Sequence, residues 1–93
     1  MWDLKVIARL EKIYDAIDKT AGPGVVVTIG TGDKFFGTGF NLPWWLEETA
    51  NPIRSIVGAQ SMLRKVLTLG MPSLAVFNGH AYAGGFILGL VHD

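Results

Sequence analysis

The segment from Ala75 to Asp93, AVFNGHAYAGGFILGLVHD, constrains the fold of this chain most strongly. It joins a short apolar strand to a glycine-containing turn and then to an apolar tract that is compatible with a helix. A second segment, KFFGTGFNL at 34–42, also places glycines where a strand meets a turn. Glycine permits close backbone approach, and the start of a helix leaves N–H groups unpaired. Two such donors converging on one point would stabilise negative charge on oxygen.

The amino-terminal half alternates between helix and strand patterns. Apolar residues at helical spacing predict a first helix that ends near Thr20, because Gly22-Pro23-Gly24 follows. The β-branched run Val25–Ile29 predicts a strand that is buried on both faces, as in a parallel sheet. From Gly30 to Pro43 the glycines and the absence of periodicity predict an irregular connection.

The carboxy-terminal half continues the alternation. Apolar spacing predicts a second helix over Ile53–Leu67, a short strand at Ser73–Phe77 and a third helix at Gly84–Val91. The order helix–strand–helix–strand–helix predicts an α/β fold with parallel strands and crossover helices. Because the apolar strand and the apolar third helix need more covering layers than these residues supply, we expect a fragment or a subunit completed by partner chains.

Charge and composition exclude several functions. Eight Lys and Arg residues balance eight Asp and Glu residues, so the sequence does not predict the basic surface that binds nucleic acid. The apolar run Ala81–Val91 is shorter than the roughly 20 residues of a membrane span. Cysteine is absent, and the only histidines, His80 and His92, are not spaced with a carboxylate to share a metal. We therefore expect no metal, no membrane span and no nucleic acid.

Side-chain catalysis has little support in the sequence. The serines lack a G-x-S-x-G context, no phosphate-binding glycine motif is present, and no carboxylate lies within the apolar wall of the expected pocket. Backbone N–H groups at the two glycine segments are therefore the remaining candidates, which indicates acyl-group chemistry without a protein nucleophile.

The two glycine segments resemble motifs of the crotonase (enoyl-CoA hydratase/isomerase) superfamily. FFGTGFNL is similar to the family pattern F-[SA]-x-G-x-D-[LI], and MPSLAVFNGHAYAGGFILGLVHD to K-P-x-[IV]-A-x-[VI]-N-G-x-A-x-G-G-G-x-x-[LI]-x-x-x-x-D. The resemblance covers nearly the whole chain and corresponds to the amino-terminal third of a family member. It implies a partial crotonase-like α/β fold, in which 1–93 form an incomplete domain without the first strand and the carboxy-terminal part.

The resemblance also implies a ligand and its contacts. Family members bind acyl-CoA thioesters, so coenzyme A enters as part of the substrate and no separate cofactor is implied. By position, the backbone N–H groups of Gly37 and Gly84 would stabilise the enolate oxygen. The further residues expected to bind substrate are Thr38, Gly39, Phe40 and Gly85, with Trp44 or Trp45 as an additional apolar wall.

Departures from the family pattern narrow the implied reaction. Ile87 stands where hydratases carry a glutamate, so the resemblance favours Δ3,Δ2-enoyl-CoA isomerases, whose single carboxylate lies downstream of the matched segment. Asn41 replaces the aspartate that is usual in the family, so the hydrogen bonds that order this loop are expected to differ. Ala83 replaces the first of three glycines, and Asp93 matches a position with a structural role.

Three functions therefore stay open. The first is the acyl-CoA-binding part of an enoyl-CoA isomerase of fatty-acid oxidation, inactive by itself because its carboxylate is missing. The second is a non-catalytic crotonase-like structural or assembly subunit, and the third is a plain acyl-CoA-binding module. The resemblance further implies a homo-oligomer, a trimer or hexamer, or a larger assembly, and a mitochondrial or peroxisomal location.

Overall fold

The computed structural model describes residues 1–20 and 22–93. Within them the helices are α1 (Leu4–Asp18), α2 (Leu42–Glu47), α3 (Asn51–Leu67) and α4 (Gly84–Leu90). The strands are β1 (Val26–Ile29), β2 (Phe35–Gly37), β3 (Ser73–Val76) and β4 (His80–Ala81). The three long predicted helices and both predicted strands are present, with ends that differ by a few residues.

The strands form two parallel pairs. β1 pairs with β3, so that Val26 lies opposite Ser73 and Ile29 lies opposite Val76. β2 pairs with β4 in a second parallel sheet, which contains a register shift between Phe35 and Gly37. The predicted α/β class with parallel strands is confirmed.

The prediction of an irregular chain from Gly30 to Pro43 is wrong. This stretch contains β2, the first residues of α2 and an isolated parallel bridge between Trp2 and Phe40. β2 is only three residues long, and its partner β4 is a two-residue strand far along the chain. Such short segments are stabilised by their partner backbone rather than by local periodicity, so the sequence pattern did not reveal them.

The core lies between the two long helices and one face of the β1–β3 sheet. Ile7 and Tyr14 of α1 meet Met62 and Val66 of α3, and Val26 of β1 completes the same buried cluster. The start of α1 is fixed by Asp3, whose Oδ1 accepts a hydrogen bond from the Val6 N–H at 3.0 Å. This N-cap fixes the start of α1 at Leu4.

The prediction that β1 is buried on both faces is wrong. Val26 is buried, but Val27 and Ile29 are 54% and 59% exposed, because α1 and α3 cover only one face of the sheet. We call the other side the open sheet face. It carries Val27, Ile29, Leu74 and Val76.

A chain of hydrogen bonds ties the end of α4 to β1 and α1. The Thr28 Oγ1 lies 2.8 Å from the Tyr14 hydroxyl oxygen and 2.7 Å from Nε2 of His92. Nδ1 of His92 lies 2.8 Å from the Leu88 carbonyl oxygen, which can only accept a hydrogen bond, so Nδ1 carries a proton. Burial raises the pKa of Tyr14, which keeps its hydroxyl protonated in this chain.

Asp15 connects the surfaces of the two long helices and gives a pH-dependent prediction. Hydrogen bonds from Lys19 and Lys65 lower the pKa of Asp15 below its ordinary value of 3.8. The stabilisation is therefore fully present above that value and is lost as the pH falls through the lower folded-state pKa. We expect Asp15→Asn to lower the urea midpoint of unfolding at neutral pH, with a difference from the parent that shrinks in acid. Asp33→Asn, at an exposed turn, is the control; a pH-independent difference for Asp15→Asn would contradict the linkage.

Candidate functional site

The turn that leads from β4 into α4 positions Gly84. The Gly85 N–H donates to the Tyr82 carbonyl at 2.8 Å, so that Ala83 and Gly84 form the two central residues of a tight turn. Gly84 is also the first residue of α4. Among the described residues, no backbone or side-chain group accepts a hydrogen bond from the Gly84 N–H. This donor is therefore available to a ligand.

The loop after β2 is held against the amino-terminal residues. The Trp2 N–H donates to the Gly39 carbonyl at 2.7 Å, and the Asn41 N–H donates to the Trp2 carbonyl at 2.7 Å. Trp2 thus bonds to Gly39 and Asn41, and Phe40 lies between them. In a parallel bridge this middle residue directs its own N–H and C=O away from the partner strand. The Phe40 N–H therefore faces away from Trp2.

The two glycine segments touch through their backbones. A Cβ atom added to Gly39 would stand only 2.9 Å from the Gly84 nitrogen, and one added to Gly84 would stand 3.3 Å from the Gly39 Cα. Gly39 also has a φ of 83°, a conformation that favours glycine. Glycine at both positions allows this approach, which brings the Gly39 backbone close to the Gly84 N–H.

An apolar cavity of about 290 Å³ opens beside this contact. α3 contributes Ile56, Ala59, Gln60 and Leu63, α4 and its preceding turn contribute Ala83, Gly84 and Ile87, and Trp2 and Phe40 complete the wall. Gln60 supplies the one polar side chain of this lining. Such a cavity suits an alkyl chain whose polar end lies at the Gly84 N–H.

Only part of the predicted site lies at this cavity. Phe40 and Gly84 line it, and Gly39 lies beside them in contact with Gly84. Thr38 and Gly37 instead line a separate groove with Met1, Thr31 and Phe36. Gly85 is buried against Gly37, where a Cβ atom on Gly37 would stand 3.0 Å from the Gly85 Cα.

The geometry opposes the prediction that Gly37 supplies an oxyanion donor. The Gly37 carbonyl accepts the Tyr82 N–H at 2.9 Å within the β2–β4 pair. Because the N–H and C=O of one strand residue point to the same side, the Gly37 N–H is also directed at β4. The sequence pattern alone could not show that strand pairing directs the Gly37 N–H at β4 and so away from a ligand.

Neither Trp44 nor Trp45 of α2 lines the cavity, contrary to the prediction. Trp45 instead packs against Phe40, which does line it. The Trp45 ring stacks on the Phe40 ring with centroids 5.1 Å apart, and its Nε1–H donates to the Ser55 Oγ at 2.6 Å. Asn41 caps α2 by accepting the Trp44 N–H at 3.3 Å. The loop therefore keeps an ordering hydrogen bond although asparagine replaces the aspartate of the resembled pattern.

No carboxylate lines the cavity within residues 1–20 and 22–93. Ile87 occupies the wall at the position where the hydratase pattern has a glutamate. Asp93 has a structural role, because its Oδ2 accepts the Ser73 N–H at 2.9 Å at the start of β3. The cavity therefore offers the Gly84 N–H as a hydrogen-bond donor, but its described lining has no carboxylate for proton transfer.

Sequence reasoning missed the contribution of α3 and Trp2. Ile56 and Leu63 recur at helical spacing, which predicts a helix but does not show that it lines a cavity. Trp2 precedes the first helix and belongs to no motif. In the part of the chain that the structure describes, no helix is long and apolar enough to cross a membrane. These same residues include no cluster of three metal-binding side chains.

Comparison with known proteins places these features in a family. The model of the enoyl-CoA hydratase/isomerase family matches residues 3–93. Enoyl-CoA delta isomerase 3 of Arabidopsis thaliana is 33% identical over 92 residues, which cover 95% of this chain and 38% of that protein. Carnitinyl-CoA dehydratase of Escherichia coli strain K12 is 35% identical over 69 residues, which cover 74% of this chain and 26% of that protein.

A solved structure agrees with both the fold and the sequence match. The crystal structure of an enoyl-CoA hydratase from Bacillus anthracis superposes with a TM-score of 0.91 at 28% identity, over 99% of this chain and 36% of that one. The chain thus spans between 26% and 38% of the length of these relatives. With nearly every residue matched by the family model, the chain belongs to the enoyl-CoA hydratase/isomerase, or crotonase, family.

Proposed function

We propose that this chain is the acyl-CoA-binding part of an enoyl-CoA isomerase that shifts a 3-enoyl-CoA double bond to the 2-position. The named relatives include enoyl-CoA delta isomerases, and the cavity residue Ile87 replaces the glutamate of the hydratase pattern. The observation that carries the proposal is the contact of the Gly39 backbone with Gly84 beside an apolar cavity that Phe40 and Gly84 line.

The proposed role of the site is to hold the thioester as its enolate forms. Removal of a proton from the carbon between the carbonyl and the double bond transfers negative charge to the thioester oxygen. In this proposal the Gly84 N–H and the Phe40 N–H donate to that oxygen, and Phe40 takes the role that the sequence predicts for Gly37. Return of the proton at the far end of the conjugated system gives the 2-enoyl product.

The alkyl chain is proposed to lie between α3 and α4. Ile56, Leu63 and Ile87 supply apolar walls there, and burial of each methylene contributes about 0.8 kcal/mol. Gly37 and Gly85 have a different role in the proposal. Their contact holds α4 against β2 and thereby sets the distance between the two donors.

Proton transfer needs a group that the cavity does not supply. Because no carboxylate lines the cavity in the described residues, we propose that the base comes from outside them, as the family resemblance implies. We therefore expect the purified 93-residue chain to bind acyl-CoA without isomerising it.

Binding of a matched ligand pair tests the proposal. We expect octanoyl-CoA to bind more tightly than the S-octyl-CoA thioether, which lacks the carbonyl oxygen. One net hydrogen bond is worth about 1 kcal/mol, so the affinity ratio should be about fivefold or more. Isothermal titration calorimetry measures both dissociation constants under the same conditions. Equal affinities would show that no donor reaches the carbonyl group, and failure of both ligands to bind would remove the acyl site itself.

A second candidate function is a non-catalytic crotonase-like subunit of a larger assembly. The exposed apolar side chains of the open sheet face and the absence of a carboxylate at the cavity favour it. A homo-oligomer, such as the trimer or hexamer that the resemblance implies, would cover such a face. The same calorimetric experiment separates the candidates, because a purely structural subunit has no reason to prefer the thioester to the thioether.

A further inference from the structure

Ala83 adopts a backbone conformation that ordinarily requires glycine. Its φ is 46° and its ψ is −120°, and no other non-glycine residue has a positive φ in the described ranges 1–20 and 22–93. These angles match the first central position of a type II′ turn, which the Gly85 N–H bond to Tyr82 closes. The side chain of Ala83 is therefore present at a cost in backbone strain.

The Ala83 methyl group lies at the cavity beside the proposed donors. A Cβ atom added to Gly39 would stand 3.3 Å from the Ala83 Cβ, so this methyl group fills the space next to the Gly39–Phe40 loop. The indole of Trp2 also lies close to Gly84, and its Cζ3 would stand 2.9 Å from a Cβ atom on Gly84. The Ala83 methyl group and the Trp2 ring thus both lie near Gly84 in the lining of the cavity.

We propose that Ala83 is a specificity-determining residue that makes the cavity prefer acyl chains without a branch on the carbon next to the carbonyl. This inference rests on the proposed function, because it requires the thioester carbonyl to lie at the Gly84 N–H. That carbonyl would place the neighbouring carbon close to the Ala83 methyl group and the Trp2 ring, which both line the cavity. A further methyl group on this carbon has to displace one of the two, and packed sites discriminate single methyl groups by about 10- to 200-fold.

The strain at Ala83 supports a role in ligand selection rather than in folding. Glycine would relax the turn, and nothing in the hydrogen bonding of Ala83 needs a side chain, since its carbonyl accepts the Ile87 N–H at 3.0 Å through the backbone alone. Residues held in rare conformations cluster at ligand sites, where the surrounding structure maintains them. The role of the Ala83 methyl group is therefore to shape the cavity.

The test compares octanoyl-CoA with each enantiomer of 2-methyloctanoyl-CoA by calorimetry, in the 93-residue chain and in Ala83→Gly. In the parent chain we expect the unbranched ligand to bind at least about tenfold more tightly than either enantiomer. In Ala83→Gly this ratio should fall to a small fraction of its parent value for at least one enantiomer. The melting temperature should rise at the same time, because glycine removes the strain.

The control variant makes the same side-chain change away from the cavity. Ala16 is exposed on α1, so Ala16→Gly should lower the melting temperature and leave the ratio unchanged. Because the ratio compares two ligands on one protein, a partly unfolded sample does not alter it. A parent ratio near one, or a ratio that Ala83→Gly leaves intact, overturns the role of Ala83 while octanoyl-CoA binding upholds the acyl site. If octanoyl-CoA itself does not bind, both the proposed function and this inference are overturned.

Discussion

Replacing Gly85 with alanine should lower the free energy of unfolding by about 3 kcal/mol. A Cβ atom on Gly85 would overlap the carbonyl group of Gly37 and stand 2.7 Å from the Gly37 Cα. Both are backbone atoms of β2, whose carbonyl is already bonded to the Tyr82 N–H, so neither can move without breaking the β2–β4 pair. Chemical denaturation followed by circular dichroism measures the loss.

Gly58→Ala is the matched control for this prediction. Gly58 lies inside α3, and a Cβ atom there would meet the Ile7 Cγ2 at 3.4 Å, an ordinary contact. Alanine has the higher helix propensity, so this variant should be more stable than the parent by up to about 1 kcal/mol. If Gly85→Ala is as stable as the parent chain, the tight contact between α4 and β2 is not what holds the site together.

Gly84→Pro should weaken octanoyl-CoA binding about fivefold relative to Gly84→Ala. Gly84 is the first residue of α4, a position where proline fits the helix but replaces the N–H hydrogen with the ring Cδ. Alanine adds the same Cβ atom, which in either variant meets the Trp2 ring, but it keeps the N–H. The comparison of the two variants therefore removes the effect of the Cβ atom and leaves the loss of the donor together with the added proline ring.

The thioether ligand provides the second control for Gly84. S-octyl-CoA has no carbonyl oxygen, so Gly84→Pro and Gly84→Ala should bind it with equal affinity in the same calorimetric experiment. A fivefold difference that persists with the thioether would show that proline distorts the cavity. Equal binding of octanoyl-CoA by both variants would exclude Gly84 as a donor to the carbonyl.

The long elements of this fold could be predicted from the sequence because their signals are local. Apolar spacing predicts α1 and α3, and the β-branched run predicts β1. The glycine and proline residues that follow the two helices predict where they end. The alternation of these elements then gave the parallel pairing of β1 with β3. Gly84 was assigned to the start of α4 for the same reason, since an apolar tract follows a turn.

The remaining features depend on contacts between distant parts of the chain. β2 and β4 are too short for a periodic pattern, and their pairing directs the Gly37 N–H at β4 instead of the cavity. The orientation of the Phe40 N–H follows from hydrogen bonds to Trp2, which belongs to no motif. The β-branched run in β1 indicated a strand correctly, but it could not show how many faces α1 and α3 cover.

The central claim is that two backbone N–H groups, from Phe40 and Gly84, meet at one ligand oxygen. Infrared difference spectroscopy of octanoyl-CoA labelled with carbon-13 at the carbonyl tests it directly, because hydrogen bonds to the oxygen weaken the carbonyl bond. We expect the carbonyl band to move to lower frequency when the ligand binds the parent chain, and to move less in Gly84→Pro than in Gly84→Ala. A bound ligand whose carbonyl band stays at its position in water, or shifts equally in both variants, would contradict the account.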